Sequence, residues 1–341
     1  MTCRLSGSDA GRMDPAAGSR PPADADGDPS GAALGWLLAS EEPAVRFLIR
    51  RDVLGEEAGD DRAAITEGPW VKALLAVQDP EGGFGMHPYR KWTGVHWRLV
   101  SLVELAVPPQ EPRAVAAAGQ VLRWLTGLPH RRAVPVIDGL ARRCASQEGN
   151  ALAVCCRLEL AADPRVRLLA HSLIEWQWPD GGWNCDRGAS GRRSSFHESL
   201  APAWGLWEYW RATGSAEARD AALRAAELFL DHHLVRSLSG EVIDPGWLVI
   251  HYPPYWHYDF LQALVVLTRM GKVGDARVEE GIEHLIGLRR PDGCWGIGRA
   301  WWKPPGGPGG GVEVVDWGRT GPNQMATLNA LRVLAGAGRL R

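Results

Sequence analysis

The stretch 173–210, LIEWQWPDGGWNCDRGASGRRSSFHESLAPAWGLWEYW, decides how the rest of the chain is read. Leu173 and Ile174 close an amphipathic helix that Pro179 cannot continue. Pro179-Asp180-Gly181-Gly182 is a turn: proline presets φ, Asp180 offers oxygens to free N–H groups, and glycine accepts φ > 0. After a polar loop carrying Arg192 and Arg193, Ser194-Ser195 opens a second helix with His197 and Glu198 in its first turn. The unit is a helix–turn–helix hairpin with ionisable groups at the start of its second helix.

Working outward, the same unit recurs. Upstream, a helix over 69–77 runs into QDPEGGFG (78–85), and a helix over 92–107 follows with His96 and Trp97 near its start. A helix over 113–125 leads to PVIDG (135–139), and Glu148-Gly149-Asn150 opens a helix predicted through Ala162. Downstream, a helix over 215–234 leads through Ser239-Gly240 and Gly246-Trp247 to HYPPYWHYDF (251–260) and the apolar LQALVVL. The last unit has a helix over 275–289, the turn PDGCWG (291–296), the segment KPPGGPGGG (303–311), and GPNQ (321–324) before MATLNALRVL. Two short helices over 31–54 precede the array. Turns recurring roughly every fifty residues mark paired-helix repeats, and no strands are expected.

Helices entering the turns carry charge on one face, as a solvent-facing layer should, whereas those leaving them are apolar almost all round. Alternation of this kind closes into a ring with every inner helix starting at one end. The expected fold is all-α: a single α/α toroid of about five to six hairpins over 31–341, after a disordered tail, 1–30, rich in Gly, Pro, Asp and Ser. The segment 303–311 is expected to be a mobile flap over a central mouth.

Bulk composition narrows the function classes. A formal net charge of −2 and the lack of a basic cluster interleaved with aromatics argue against a nucleic-acid partner. Six scattered cysteines without a CxxC fit reduced thiols and a cytoplasmic location. The N-terminus has no apolar signal core, and no apolar run reaches the length of a membrane span. Seventeen tryptophans need either a repeated structural slot or an aromatic-lined cavity.

QWPDGGW (177–183), with QDPEGGF (78–84) and PDGCW (291–295), resembles the QW repeat of the terpenoid cyclase and protein prenyltransferase superfamily, and most of all its small, single-toroid, squalene–hopene-cyclase-like bacterial members. That resemblance implies the α/α toroid and chemistry on an isoprenoid or similarly apolar chain, with peripheral membrane contact as a further expectation and a second subunit left open. Cyclases of this kind protonate an alkene with a DxDD acid; the comparable place here is Trp256-His257-Tyr258-Asp259, which keeps the last aspartate. Prenyltransferases hold zinc with a His that opens an inner helix, as His257 does, and with an Asp and a Cys. Near Ser194-Ser195-Phe196-His197 the latter two are replaced, and Cys185 and Asp186 lie upstream.

Three functions are therefore weighed: acid-initiated cyclisation or isomerisation, zinc-assisted prenyl transfer, and an inert toroid that binds a lipid or a protein. For the first, Asp259 or Glu198 is the expected donor, with its pKa raised by desolvation, and His257 or His197 orients it. The same carboxylates also suit the capping of helix amides. His96, Trp97, Glu148, Trp204, Trp256, Tyr258 and Asn323 are the expected substrate-binding residues, the aromatics offering cation–π faces to a carbocation or simply packing the core. For the second, His197, His257 and Cys185 are the candidate zinc ligands.

Overall fold

The computed structural model describes residues 29–132, 134–188 and 191–340; the expected tail falls, but for its last two residues, outside them. Among the described residues the chain is mostly helical. Helix α1 spans Pro29–Leu38, and α2, Pro43–Ile49, runs on into a π-helical turn over Arg50–Leu54. Then come α3 (Gly59–Ala64), α4 (Pro69–Leu75), α5 (Val95–Glu104), α6 (Pro112–Thr126), α7 (Leu128–Arg131) and α8 (Ser146–Arg157). The second half holds α9 (Pro164–Glu175), α10 (Phe196–Thr213), α11 (Ala216–Asp231), α12 (Phe260–Arg269), α13 (Glu279–Gly287) and α14 (Gln324–Gly336). None of the described helices is long and apolar enough to cross a membrane.

The helices fall into the two classes that their sequences suggest. Every residue of α5 is buried, and α8, α12 and α14 are buried on most sides. In contrast, α6 buries the single stripe Ala114, Ala117, Ala118, Val121, Leu122, Leu125, spaced for one face of a 3.6-residue helix. The buried helices touch in chain order, α5 to α8, α8 to α10, α10 to α12 and α12 to α14, and α14 packs against α2. The closest approach is α8 on α10, where a Cβ at Gly149 would overlap the backbone at Ala201 and Pro202.

Three turns share one geometry. The Gln177 amide donates to the Gly181 carbonyl (2.7 Å) and to Ala221 of α11 (2.8 Å), and Gln78 repeats this with Gly82 (3.2 Å) and Arg113 of α6 (2.9 Å). The Trp183 and Trp295 indoles each donate to a carbonyl ten residues back, Leu173 (2.9 Å) and Leu285 (2.7 Å). Their main-chain N–H groups donate to Ser199 of α10 and Thr327 of α14, both at 3.0 Å. The Trp183 and Trp295 turns thus fasten the helix before them to the buried helix after them, α9 to α10 and α13 to α14. Gly181 has φ +94°, which a side chain rarely adopts.

Several boundaries differ from expectation. Val136–Ile137 and Leu140–Ala141 form a two-stranded antiparallel ladder, β1 and β2, because Asp138-Gly139 at φ +52° and +77° supplies the mirror-image turn a tight hairpin needs. Helix α8 ends at Arg157, not Ala162. Ser195 occupies the N-cap of α10 but makes no side-chain cap bond, and Ser194 bonds Asp180 instead. The segment 303–311 is pinned at its base: Lys303 N–H donates to the Gly311 carbonyl (2.8 Å) and Glu313 N–H to the Lys303 carbonyl (2.9 Å). Its flank is held by Trp92, whose indole donates to the Trp301 carbonyl (2.8 Å).

Candidate functional site

A buried cavity of about 40 Å³ lies among α5, α8, α10, α12 and the segment leading into α12. Its wall is aromatic and aliphatic, from Trp204, Leu200, Val265, Tyr255 and Trp256, and both His197 and His257 line it. The sequence-based pairing of these histidines on one cavity is what the structure shows. Trp256 packs against both, its ring 4.0 Å from that of His257 and 5.6 Å from that of His197. On its other side His257 stacks flat on Trp301, 4.2 Å away with 2° between planes.

Both imidazoles are held neutral. Burial lowers the pKa of His197, and burial together with His197, His251, Lys91 and Arg299 brings His257 down to about 2. Four polar atoms on the lining residues have no hydrogen-bond partner among the described residues: Tyr255 Oη, Trp256 Nε1, His257 Nδ1 and Gln262 Nε2. Buried polar atoms left unpaired in one place call for water or a ligand group, and the volume suits one to a few water-sized groups.

The other predicted residues do not all come here. Asp259 is the N-cap of α12: its Oδ1 accepts Gln262 N–H (2.8 Å), and its Oδ2 accepts His251 N–H and faces His251 Nδ1, both at 2.9 Å. That carboxylate joins the start of α12 to His251. Tyr258 points outward among Phe196, Phe229 and Trp247, its hydroxyl donating to the Leu234 carbonyl (2.6 Å). Trp97 lies behind Tyr255 and Trp92. His96 faces a void bounded by Ala118, Val121, Ala151 and Val154, where burial lowers its pKa to about 3. Glu148 is bound by Arg143 and His130; burial works against its charge, yet these partners hold its pKa below the usual value. Asn323 caps α14, accepting Ala326 N–H at 2.9 Å. Of the expected substrate-binding residues, Trp204 and Trp256 are the two on the cavity wall.

The predicted zinc set is likewise redrawn. Cys185 does not join His197 and His257; its Sγ groups with Cys144 and Glu198, all ligand atoms lying within 4.8 Å of one another. Burial pushes the Glu198 carboxyl up.

The wide opening lies at the other end of the buried helices from the expected mouth. A vestibule of about 970 Å³ is lined by the last residues of α5, α8, α12 and α14, the last turn of α10 and the π-helical turn after α2. Arg332 pairs with Asp52 (2.5 Å) and Arg157 with Glu208 (3.3 Å). At its floor one Arg269 Nη2 donates to both Glu104 oxygens, at 2.9 and 2.8 Å. This pair also lines the inner cavity, so it stands between the two spaces. Burial works against the Glu104 charge, yet Arg269 holds its pKa below the usual value.

One further carboxyl escaped the sequence reading. Glu313 is 2 % exposed, and burial raises its pKa to about 7; its Oε2 has no partner among the described residues. Its neighbour Val312 accepts Trp92 N–H (3.4 Å), and Trp92 stacks on the cavity residue Tyr255 at 4.2 Å. No family model matches the sequence, and no curated protein matches it.

Proposed function

We propose that the protein is an α/α toroid of the kind its turns resemble, and that its centre takes an isoprenoid or similarly apolar chain bearing one polar group for acid-initiated cyclisation or isomerisation. Support for the ring comes from the order of helix contacts, ending with α14 against α2, and from six helix C-terminal ends that share one vestibule. The observation that carries the function is the cavity itself: aromatic faces suited to a cation, two histidines whose pKa burial lowers, and four polar atoms on its lining residues that have no partner among the described residues. A substrate oxygen is met there by Trp256 N–H, Gln262 or Tyr255. The apolar remainder runs past the Arg269–Glu104 pair toward the vestibule.

Asp259 is replaced as the acid in this reading. A donor to an alkene must hold its proton near neutral pH; burial raises the pKa of Glu198 and that of Glu313, the latter to about 7, and Glu313, beside the Trp92–Tyr255 stack, is the donor taken here. The test is to incubate the purified chain with linear polyprenes and polyprenols, following retained ligand by native mass spectrometry and products by gas chromatography. We expect wild type and E313Q both to retain ligand and only wild type to form product. Retention without product in both assigns the chain to the inert, ligand-binding class, and neither retention nor product overturns the reading.

A further inference from the structure

Cys144, Cys185 and Glu198 come from three segments that only folding brings together: the approach to α8, the loop after the second turn, and the first turn of α10. Cys185 Sγ stands 3.6 Å from Glu198 Oε1 and within 4.8 Å of Cys144 Sγ. Tetrahedral zinc, with sulfur at about 2.3 Å and carboxylate oxygen at about 2.1 Å, has a sulfur–oxygen edge of about 3.6 Å and a sulfur–sulfur edge of about 3.8 Å. The Cys185–Glu198 separation already equals that edge. With all three atoms within 4.8 Å, closing the remaining edges takes shifts of about 1 Å.

The surroundings orient the carboxylate as a ligand. Glu198 is 8 % exposed, and its Oε2 accepts Ser146 N–H at 3.0 Å, which turns Oε1 toward the thiols. It has no ion-pair partner among the described residues, and Arg143 pairs with Glu148. Both cysteines are partly accessible, so an ion can reach them. We propose that Cys144, Cys185 and Glu198 form a site for one thiophilic divalent cation of the zinc class, bound by two sulfurs and one carboxylate oxygen with a fourth position open. The site is independent of the central-cavity reading. Its ion would clasp the starts of α8 and α10, so binding and fold stability are coupled.

The test titrates the reduced, metal-stripped full-length chain with cobalt(II) alone and with zinc(II) alone. One equivalent of cobalt should produce sulfur-to-metal charge-transfer absorption that zinc abolishes. C144S and C185S should each lose the absorption, C294S should keep it, and E198Q should weaken zinc binding by more than the roughly tenfold of an outer-shell change. Zinc should also shield Cys144 and Cys185 from alkylation in the unmutated chain, as read by peptide mass mapping, which needs no variant to fold. Absence of the absorption in reduced wild type overturns the site. So does absorption that survives C144S/C185S, unshielded thiols, or a Cys144–Cys185 disulfide formed in place of uptake.

Discussion

The imidazole of His197 accepts, at Nδ1, a 2.8 Å hydrogen bond from the main-chain N–H of Tyr258. One bond ties the first turn of α10 to the residue just ahead of the α12 cap and also sets the tautomer, leaving the His197 proton on Nε2. The His197 ring, which lines the cavity, is thereby fixed in place. Its neighbour across Trp256, His257, has no partner for Nδ1 among the described residues.

Nitrogen-15 spectra of the labelled histidines should show His197 as the Nε2–H form. His257, whose pKa lies near 2, should still be neutral at about pH 5. An imidazolium signal from His257 at that pH would contradict its burial.

Gly181→Val places a β-branched residue at φ +94° with its Cβ against the Arg224 carbonyl of α11. Strain and overlap together should cost about 3 kcal/mol, read as a shift in the urea midpoint. An unshifted midpoint would show that the turn rearranges freely.

Asp259→Asn should act on stability. The amide can cap Gln262 N–H through its oxygen, but it then presents N–H to the His251 N–H that Asp259 now accepts. We expect a loss of about 2 kcal/mol, with ligand retention per folded molecule unchanged. A fully stable variant that retains ligand but has lost turnover would return Asp259 to the role of acid.

Glu313 gives a pH signature of known sign. Its folded pKa of about 7 exceeds an ordinary carboxyl's, so between roughly pH 4.5 and 7 the folded state binds the extra proton and stability falls as pH rises. The full effect is about 3 kcal/mol, complete above pH 7. Arg98 and Tyr252 are the charged and titratable groups that act on or near it. His96 and His257 titrate with the opposite sign in an overlapping range, so the measurement is the difference between wild type and E313Q. A difference flat with pH rules out the buried acid.

Glu104→Gln leaves Arg269, charged and half-buried on the vestibule wall, without its anion. Breaking such a pair should cost about 3 kcal/mol or more, measured by chemical denaturation. If the loss is under about 1 kcal/mol, the pair is wetter than its position implies.

The hairpins, the turns and the two helix classes were legible because each rests on local signals. Gln177, the Gly pair and Trp183 lie within seven residues and do their work within one hairpin and its neighbour. His197 and His257 were legible for the same reason, as openers of successive buried helices. What stayed hidden depends on partners far apart in the chain. Nothing near Glu313 announces burial, since it follows a glycine-rich loop, and Cys144 meets Cys185 where Arg142 and Asn184 form a parallel bridge and Arg143 N–H donates to the Asn184 carbonyl at 3.0 Å. For Asp259 the sequence does not separate cap from acid, because both occupy the same position at a helix start; the structure adds the His251 and Gln262 N–H groups that it accepts. The Asp138-Gly139 hairpin signal was present and was read as a helix–helix turn.

The vestibule has an electrostatic consequence that its side chains alone do not convey. Six helices end there, and each leaves carbonyl oxygens that act as about half a negative charge. Arg51, Arg157, Arg211, Arg269 and Arg332 face those ends together with Asp52, Glu104, Glu159 and Glu208. Positive charge that looks like an anion funnel is thus largely consumed in neutralising backbone and carboxylates. An anionic ligand should gain little long-range attraction, and its association rate should change little with ionic strength.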